Sequence, residues 1–191
     1  VSRSTCCLLM FLRIWRFITI ILTALLMGAT FCHVLESPAK MRYPAELYLT
    51  LHRTLYVAFG PPNVGAFIEI GAILAAAALV FLTRKRRPAF WLTFAGAAFL
   101  VAGLVVYFVF VEPANVAMKA MSLNAPPTGW TQWRDQWEYG HIAHFIFQLL
   151  GFSALAFSII FEISAAHVTL RPASAPRKLR GPLGPHWRPE R

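Results

Sequence analysis

Charge is scarce in this sequence, and acidic charge is scarcest. Charged residues make up 14% of the 191, with eight Asp and Glu against 18 Lys and Arg. A soluble domain carries roughly 25% charged residues, so an ordinary water-soluble globular domain is excluded. Cysteine is nearly missing: Cys6, Cys7 and Cys32 are the three. No C-x-x-C or C-x-x-C-H spacing occurs, which removes a zinc ribbon and a covalently attached c-type haem. Cys6 and Cys7 are adjacent, and adjacent cysteines rarely pair with each other. The first apolar run ends GATFCHVLE with no small-residue cleavage motif, and Arg13 and Arg16 interrupt its start. It therefore reads as an uncleaved membrane helix rather than a secretory signal.

What is abundant is apolar sequence, 58% of the chain. Four runs approach the roughly 20 residues needed to cross a bilayer: 17–35, 64–82, 89–111 and 142–161. Between the first two lies YPAELYLTLHRTLYVAFGPP, in which Leu47, Leu51, Leu55 and Ala58 recur at helical spacing. That pattern predicts an amphipathic helix, lying at the interface or folded back over the spans. Pro61 and Pro62 stop it and open the second span. The expected fold class is all-α: an integral membrane four-helix bundle with an extra amphipathic helix between spans one and two. Residues 1–16 form an N-terminal segment, 17–163 the four-span domain, and 164–191 a basic, Pro-rich tail.

Basic residues cluster on one side of this topology. Arg3, Arg13 and Arg16, the RKRR turn at 84–87, and Arg171, Arg177, Lys178, Arg180, Arg188 and Arg191 share it. Lys40, Arg42, Arg53, Lys119 and Arg134 fall on the other. The positive-inside bias places both termini in the cytoplasm, with the bacterial inner membrane as the expected location. The same bias accounts for the net charge of +10, and no nucleic-acid partner is expected. The tail suits contact with anionic lipid headgroups or docking in a larger membrane complex.

Ionisable groups gather at the opposite, outward end. The first span ends with His33 and Glu36, the second carries Glu69, the third ends with Glu112 and Asn115, and the fourth opens on QWEYGHIAHF (136–145). Glu69 lies about five residues into its span, roughly 7–8 Å deep at 1.5 Å per residue. A charge at that depth is expected to face inward and find a partner. Trp137, His141, His144 and Gln148 follow 4-3-4 spacing and form one stripe. His33 with Glu36, and Glu138 with His141, are i, i+3 pairs, the spacing at which di-iron bundles place ligands. Each residue alone also has a plainer reading. Glu36, Glu112 and Glu138 suit interface caps, and Trp130, Trp133 and Trp137 an aromatic belt. His52 and Arg53 suit a solvated helix face, and His167 and His186 plain polar positions near the tail. Glu69, His141, His144 and Gln148 together are too many for decoration.

The EPAN stretch at 112–115, followed by WTQWRDQWEYGH at 130–141, resembles the anthrone oxygenase-like family of small four-span membrane proteins. The likeness covers about residues 17–163 and is carried by Asn115, Trp133 or Trp137, Arg134 and His141; the close of the first span, HVLESPAK, is also similar. Where the family leads one to expect arginine, His144 stands. The resemblance implies oxidation of an anthrone- or quinol-like lipophilic molecule by dioxygen, without metal or flavin. It implies His141 as the base, Arg134 or Asn115 as oxyanion partners, and Trp133 and Trp137 as stacking surfaces. His33, Glu36, Glu69, Glu138, His144 and Gln148 complete the expected pocket. Two other readings stand beside it. One is a non-catalytic subunit of a respiratory or photosynthetic complex. The other is an iron or haem binder using His33, Glu36, Glu138 and His141.

Overall fold

The computed structural model describes residues 3–87 and 89–169, with residues 3–6 and 163–169 as backbone only. The tail beyond 169, with its expected lipid or assembly role, lies outside the described residues, as do the side chains of His167 and His186. The described chain is helical, with α1 at Arg3–Lys40, α2 at Ala45–Thr54, α3 at Val64–Thr83, α4 at Ala89–Val106, α5 at Glu112–Ala120 and α6 at Thr131–Thr169. A 3-10 turn, Tyr56–Ala58, follows α2, and a π-helical turn, Tyr107–Val111, joins α4 to α5. No strand occurs among the described residues.

Four helical stretches are long and apolar enough to cross a bilayer: Cys7–Lys40, Val64–Thr83, Ala89–Ala120 and Thr131–Glu162. This is the makeup of an integral membrane protein. Three of them outrun the hydropathy boundaries by a turn or more. Hydropathy marks the length suited to lipid, whereas backbone hydrogen bonding continues into the polar flanks as long as no breaker intervenes. QWEYGHIAHF is therefore the interior of α6, not the start of a helix.

Each long helix packs on two others, α1 on α3 and α6, and α4 on α3 and α6. The α4–α6 contact is the closest. A Cβ on Gly96 would lie 2.7 Å from Leu155 Cγ, and one on Gly151 would lie 3.0 Å from Leu100 Cδ2. Small residues let these backbones approach, which is how apolar helices gain packing when lipid competes for every methyl group.

Two apolar clusters mark the two ends. Leu12, Ala76, Leu79, Leu100 and Leu155 form one. Tyr48, Leu49, Tyr107, Val111, Ala114, Met118 and Trp137 form the other, under α2 and α5. Pro113 has no N–H for the carbonyl four residues back, and the helix widens into the π turn just before it. Gly140 on α6 admits that bulge, since a Cβ there would meet Val111 Cγ2 at 2.9 Å.

α2 is amphipathic, and its polar and aromatic face is the one turned in. Its leucine stripe points outward, with Leu47 43% and Leu55 54% exposed, while Tyr48, Leu49 and His52 are buried. In water, the apolar face turns in; beside four lipid-facing helices, the polar and aromatic face can turn in and leave leucines outside. His52, expected on a solvated face, is 5% exposed.

Candidate functional site

The site is built around the indole of Trp137, placed by α6 and 2% exposed. His33 of α1 meets it edge-on with ring centres 5.1 Å apart, and His141, one turn further along α6, at 4.3 Å. His33 and His141 stack on each other at 4.3 Å and 29°. Tyr56 and Phe59, from the chain after α2, pack on the far side of His33 at 4.8 and 5.1 Å. Nδ1 of His33 and of His141 are buried without a hydrogen-bond partner. Leaving such atoms unpaired costs about 1–3 kcal/mol each, so these imidazoles are not there to satisfy the core.

Both line a pocket of about 300 Å³ with Trp137, His52, Tyr107, Asn115, Arg53 and Lys119. Ligand pockets run from roughly 300 to 1,000 Å³, so this one suits a small molecule.

Asn115 organises the wall. Its Oδ1 accepts from Trp137 Nε1 at 2.7 Å and pairs with His52 Nε2 at 3.0 Å. An indole only donates, so that oxygen is fixed as the acceptor, and His52 donates from Nε2. The Asn115 amide donates to Glu112 at 3.0 Å and to the Tyr107 hydroxyl at 3.3 Å. Every hydrogen-bonding capacity of Asn115 is thus used within the protein. Burial holds His52 below the usual imidazole range, partly countered by Asn115, so it is neutral at pH 7.

Deeper in, His144 Nε2 lies 2.8 Å from Glu69 Oε1 and 2.7 Å from Gln148 Nε2. Thr30 of α1 donates to Gln148 Oε1. One ring nitrogen cannot both accept from an amide N–H and donate to a carboxylate. The orientation of the Gln148 amide and the tautomer of His144 are therefore set together. Gly103 presses this ring into place, since a Cβ there would lie 3.0 Å from His144 Cδ2.

Glu138 is not at the mouth of the pocket. It is 1% exposed and pairs with Lys40 Nζ at 3.1 Å and the Tyr48 hydroxyl at 2.8 Å. Lys40 is 2% exposed and rests over the rings of Trp137 at 4.6 Å and Tyr56 at 4.9 Å. This cation was legible only as one of the outer basic residues. Burial, then Glu138, pushes the Tyr48 phenol above its usual range, so it stays a donor. Burial, then a hydrogen bond to Glu36, does the same to Tyr56.

Of the expected residues, His33, Trp137, His141 and Asn115 line the outer pocket. Glu69 and His144 line an inner cavity, and Gln148 sits behind His144. Arg134, Glu36 and Glu138 line neither cavity. Arg134 donates to the Met41 carbonyl at 2.9 Å and pairs with Asp135, which ties α6 to the turn after α1. Glu36 is half-exposed and accepts from Tyr56. The set His33, Glu36, Glu138 and His141 does not converge, and among the described residues no three His, Cys, Asp or Glu are grouped to hold a metal. Faces stacked at 4.3 Å leave no room for a porphyrin between the two pocket histidines. Tyr48, His52, Tyr56 and Lys40 were missed; the 4-4 spacing of Tyr48, His52 and Tyr56 was the available signal.

No protein-family model, curated protein or solved structure matches this chain.

Proposed function

We propose that the chain is a cofactor-independent oxidoreductase of the anthrone oxygenase-like kind, a four-helix membrane bundle acting on a lipophilic anthrone- or quinol-type molecule. The observation that carries this reading is the stacked pair His33 and His141, buried, lacking partners at Nδ1, and set in the wall of a pocket about 300 Å³ in volume. α2 lies at the membrane interface and closes the pocket on its outer side, with both termini in the cytoplasm.

The chemistry follows from the groups at hand. An acidic C–H or phenolic O–H gives its proton to His141, the imidazole on the pocket wall whose Nδ1 has no partner. The delocalised anion left behind stacks against Trp137. Its oxygen faces the pocket cations Lys119 and Arg53. Arg53 is anchored through Nη2 to the Met118 and Met121 carbonyls but keeps Nε unpartnered, whereas both amide hydrogens of Asn115 are engaged. Fixed positive charge held where the anion forms stabilises it without solvent reorganisation. The anion is electron-rich enough to reduce dioxygen directly. For an anthrone, the CH2 carbon loses two hydrogens and gains one oxygen atom as a carbonyl, and the second oxygen atom leaves as water. Arg134 positions α6 and is not an oxyanion partner.

Purified protein in lipid nanodiscs, supplied with an anthrone and isotopically labelled dioxygen, tests this. One labelled oxygen atom per quinone, with uptake lost in a folded His141→Ala variant, is the expected result. No uptake by the wild type across several anthrones and quinols sinks the reading and leaves the accessory-subunit alternative.

A further inference from the structure

Behind the His33–His141 wall lies a second cavity of about 40 Å³. His33, Phe59, Tyr107 and His141 line both spaces, so the two meet at those side chains. The inner cavity has two unlike walls. One is polar and holds the Glu69–His144 pair; the other is Leu25, Leu26 and Ala29 of α1 with Ile68 of α3. Leu25 is 55% exposed and lies within the apolar stretch of α1. The cavity therefore abuts an outward-facing residue of α1, between α1 and α3. A water needs roughly 10–15 Å³ of such space, so this cavity admits a narrow chain but not a ring. A water file needs polar walls along its length, and the four apolar side chains at its outer side supply none.

We propose that this cavity is a lateral portal that seats the alkyl or prenyl chain of a membrane-dissolved phenol or quinol, whose ring occupies the larger pocket. Glu69 and His144, in the inner cavity, take the hydrogen bond of a ring hydroxyl that reaches past the shared side chains. The inference rests on the reading above and narrows its substrate class: a ring carrying a chain, entering from the bilayer, rather than a bare aromatic arriving from water. Glu69 sits where an incoming hydroxyl first leaves lipid, which accounts for a carboxyl placed about one and a half turns into α3.

The test compares a naphthoquinone ring with and without a long alkyl chain, titrated into protein in nanodiscs, with affinities referred to concentration in the membrane. Binding is read by quenching of Trp137 fluorescence, with Trp137→Phe as the blank. In wild type the chain is expected to tighten binding about threefold, from packing in the portal, because methylenes already dissolved in the bilayer gain nothing from leaving water. Ala29→Trp, which fills the portal, is expected to abolish that gain while the chainless ring binds as before. Leu25→Trp, at an exposed position, is the second variant should Ala29→Trp not fold. An unchanged chain effect in the variant, or equal weakening of both ligands, overturns the portal. If neither ring binds, the quinol reading falls, and the portal is judged by a diazirine-bearing long-chain alcohol in the same nanodiscs. Cross-linking concentrated at Ala29 and Ile68 supports it, and uniform labelling of all four spans overturns it.

Discussion

At the end where α1 begins, Arg16 and Arg86 share the carboxylate of Glu162, and an apolar cluster of Leu12, Leu79, Leu100 and Leu155 closes behind them. At the other end, four imidazoles leave Nδ1 buried and unpartnered, as does one oxygen of Glu138, and a pocket of about 300 Å³ stays open among them. The first end meets its charges with charges and leaves one buried nitrogen, Arg16 Nε, unpartnered among the described residues. The second holds polar groups in place by ring packing and leaves their reactive atoms free. That difference locates function: groups kept unsatisfied at a cost in stability are the ones available to a ligand.

The largest effect separating the two ends concerns ion pairs. Glu138→Ala leaves the Lys40 ammonium buried without its partner and is expected to cost about 3–5 kcal/mol. Glu162→Ala, where the carboxylate is 24% exposed, is expected to cost about 1 kcal/mol. Denaturant unfolding in a common detergent checks both, and equal costs would break the contrast. Glycine contacts come next. Gly96→Ala and Gly103→Ala each overpack α4 against α6, by about 1–3 kcal/mol. Only Gly103→Ala pushes on His144, so only it is expected to lower oxygen uptake per folded molecule.

A smaller effect is its pH dependence. His52 titrates near 6.5 when unfolded, and burial lowers that value in the folded protein. Between the two values the unfolded state binds more protons, so stability falls as pH drops below about 6.5. His52→Phe is expected to flatten that slope, as measured by melting midpoints across pH 5–8.

Much of the architecture was legible beforehand. Four long apolar runs fix four spans, and the 4-3-4 spacing of Trp137, His141, His144 and Gln148 placed them on one buried face. Glu69 was marked by depth alone. What failed did so for a physical reason. The spacing of Leu47, Leu51 and Leu55 predicts an amphipathic helix without saying which face turns in, and it is Tyr48 and His52 that do. Lys40 and Glu138, on helices distant in sequence, each look like interface residues until the fold brings them within 3.1 Å. Their neutralisation of each other is a tertiary fact with no local signature. Arg134 carried a family pattern but not a pocket position.

The smallest expected stability effect carries the most weight. His33→Phe and His141→Phe replace imidazoles by apolar rings in an aromatic cluster and remove unpaired polar atoms, so each should leave stability within about 1 kcal/mol of wild type or raise it. The measurement that tests the account most directly is the melting midpoint of His141→Phe beside its oxygen uptake on a lipophilic anthrone, both in nanodiscs. The account predicts an unchanged or higher midpoint with uptake lost. A midpoint several degrees lower with uptake intact would contradict it, since His141 would then be a structural group and not the base.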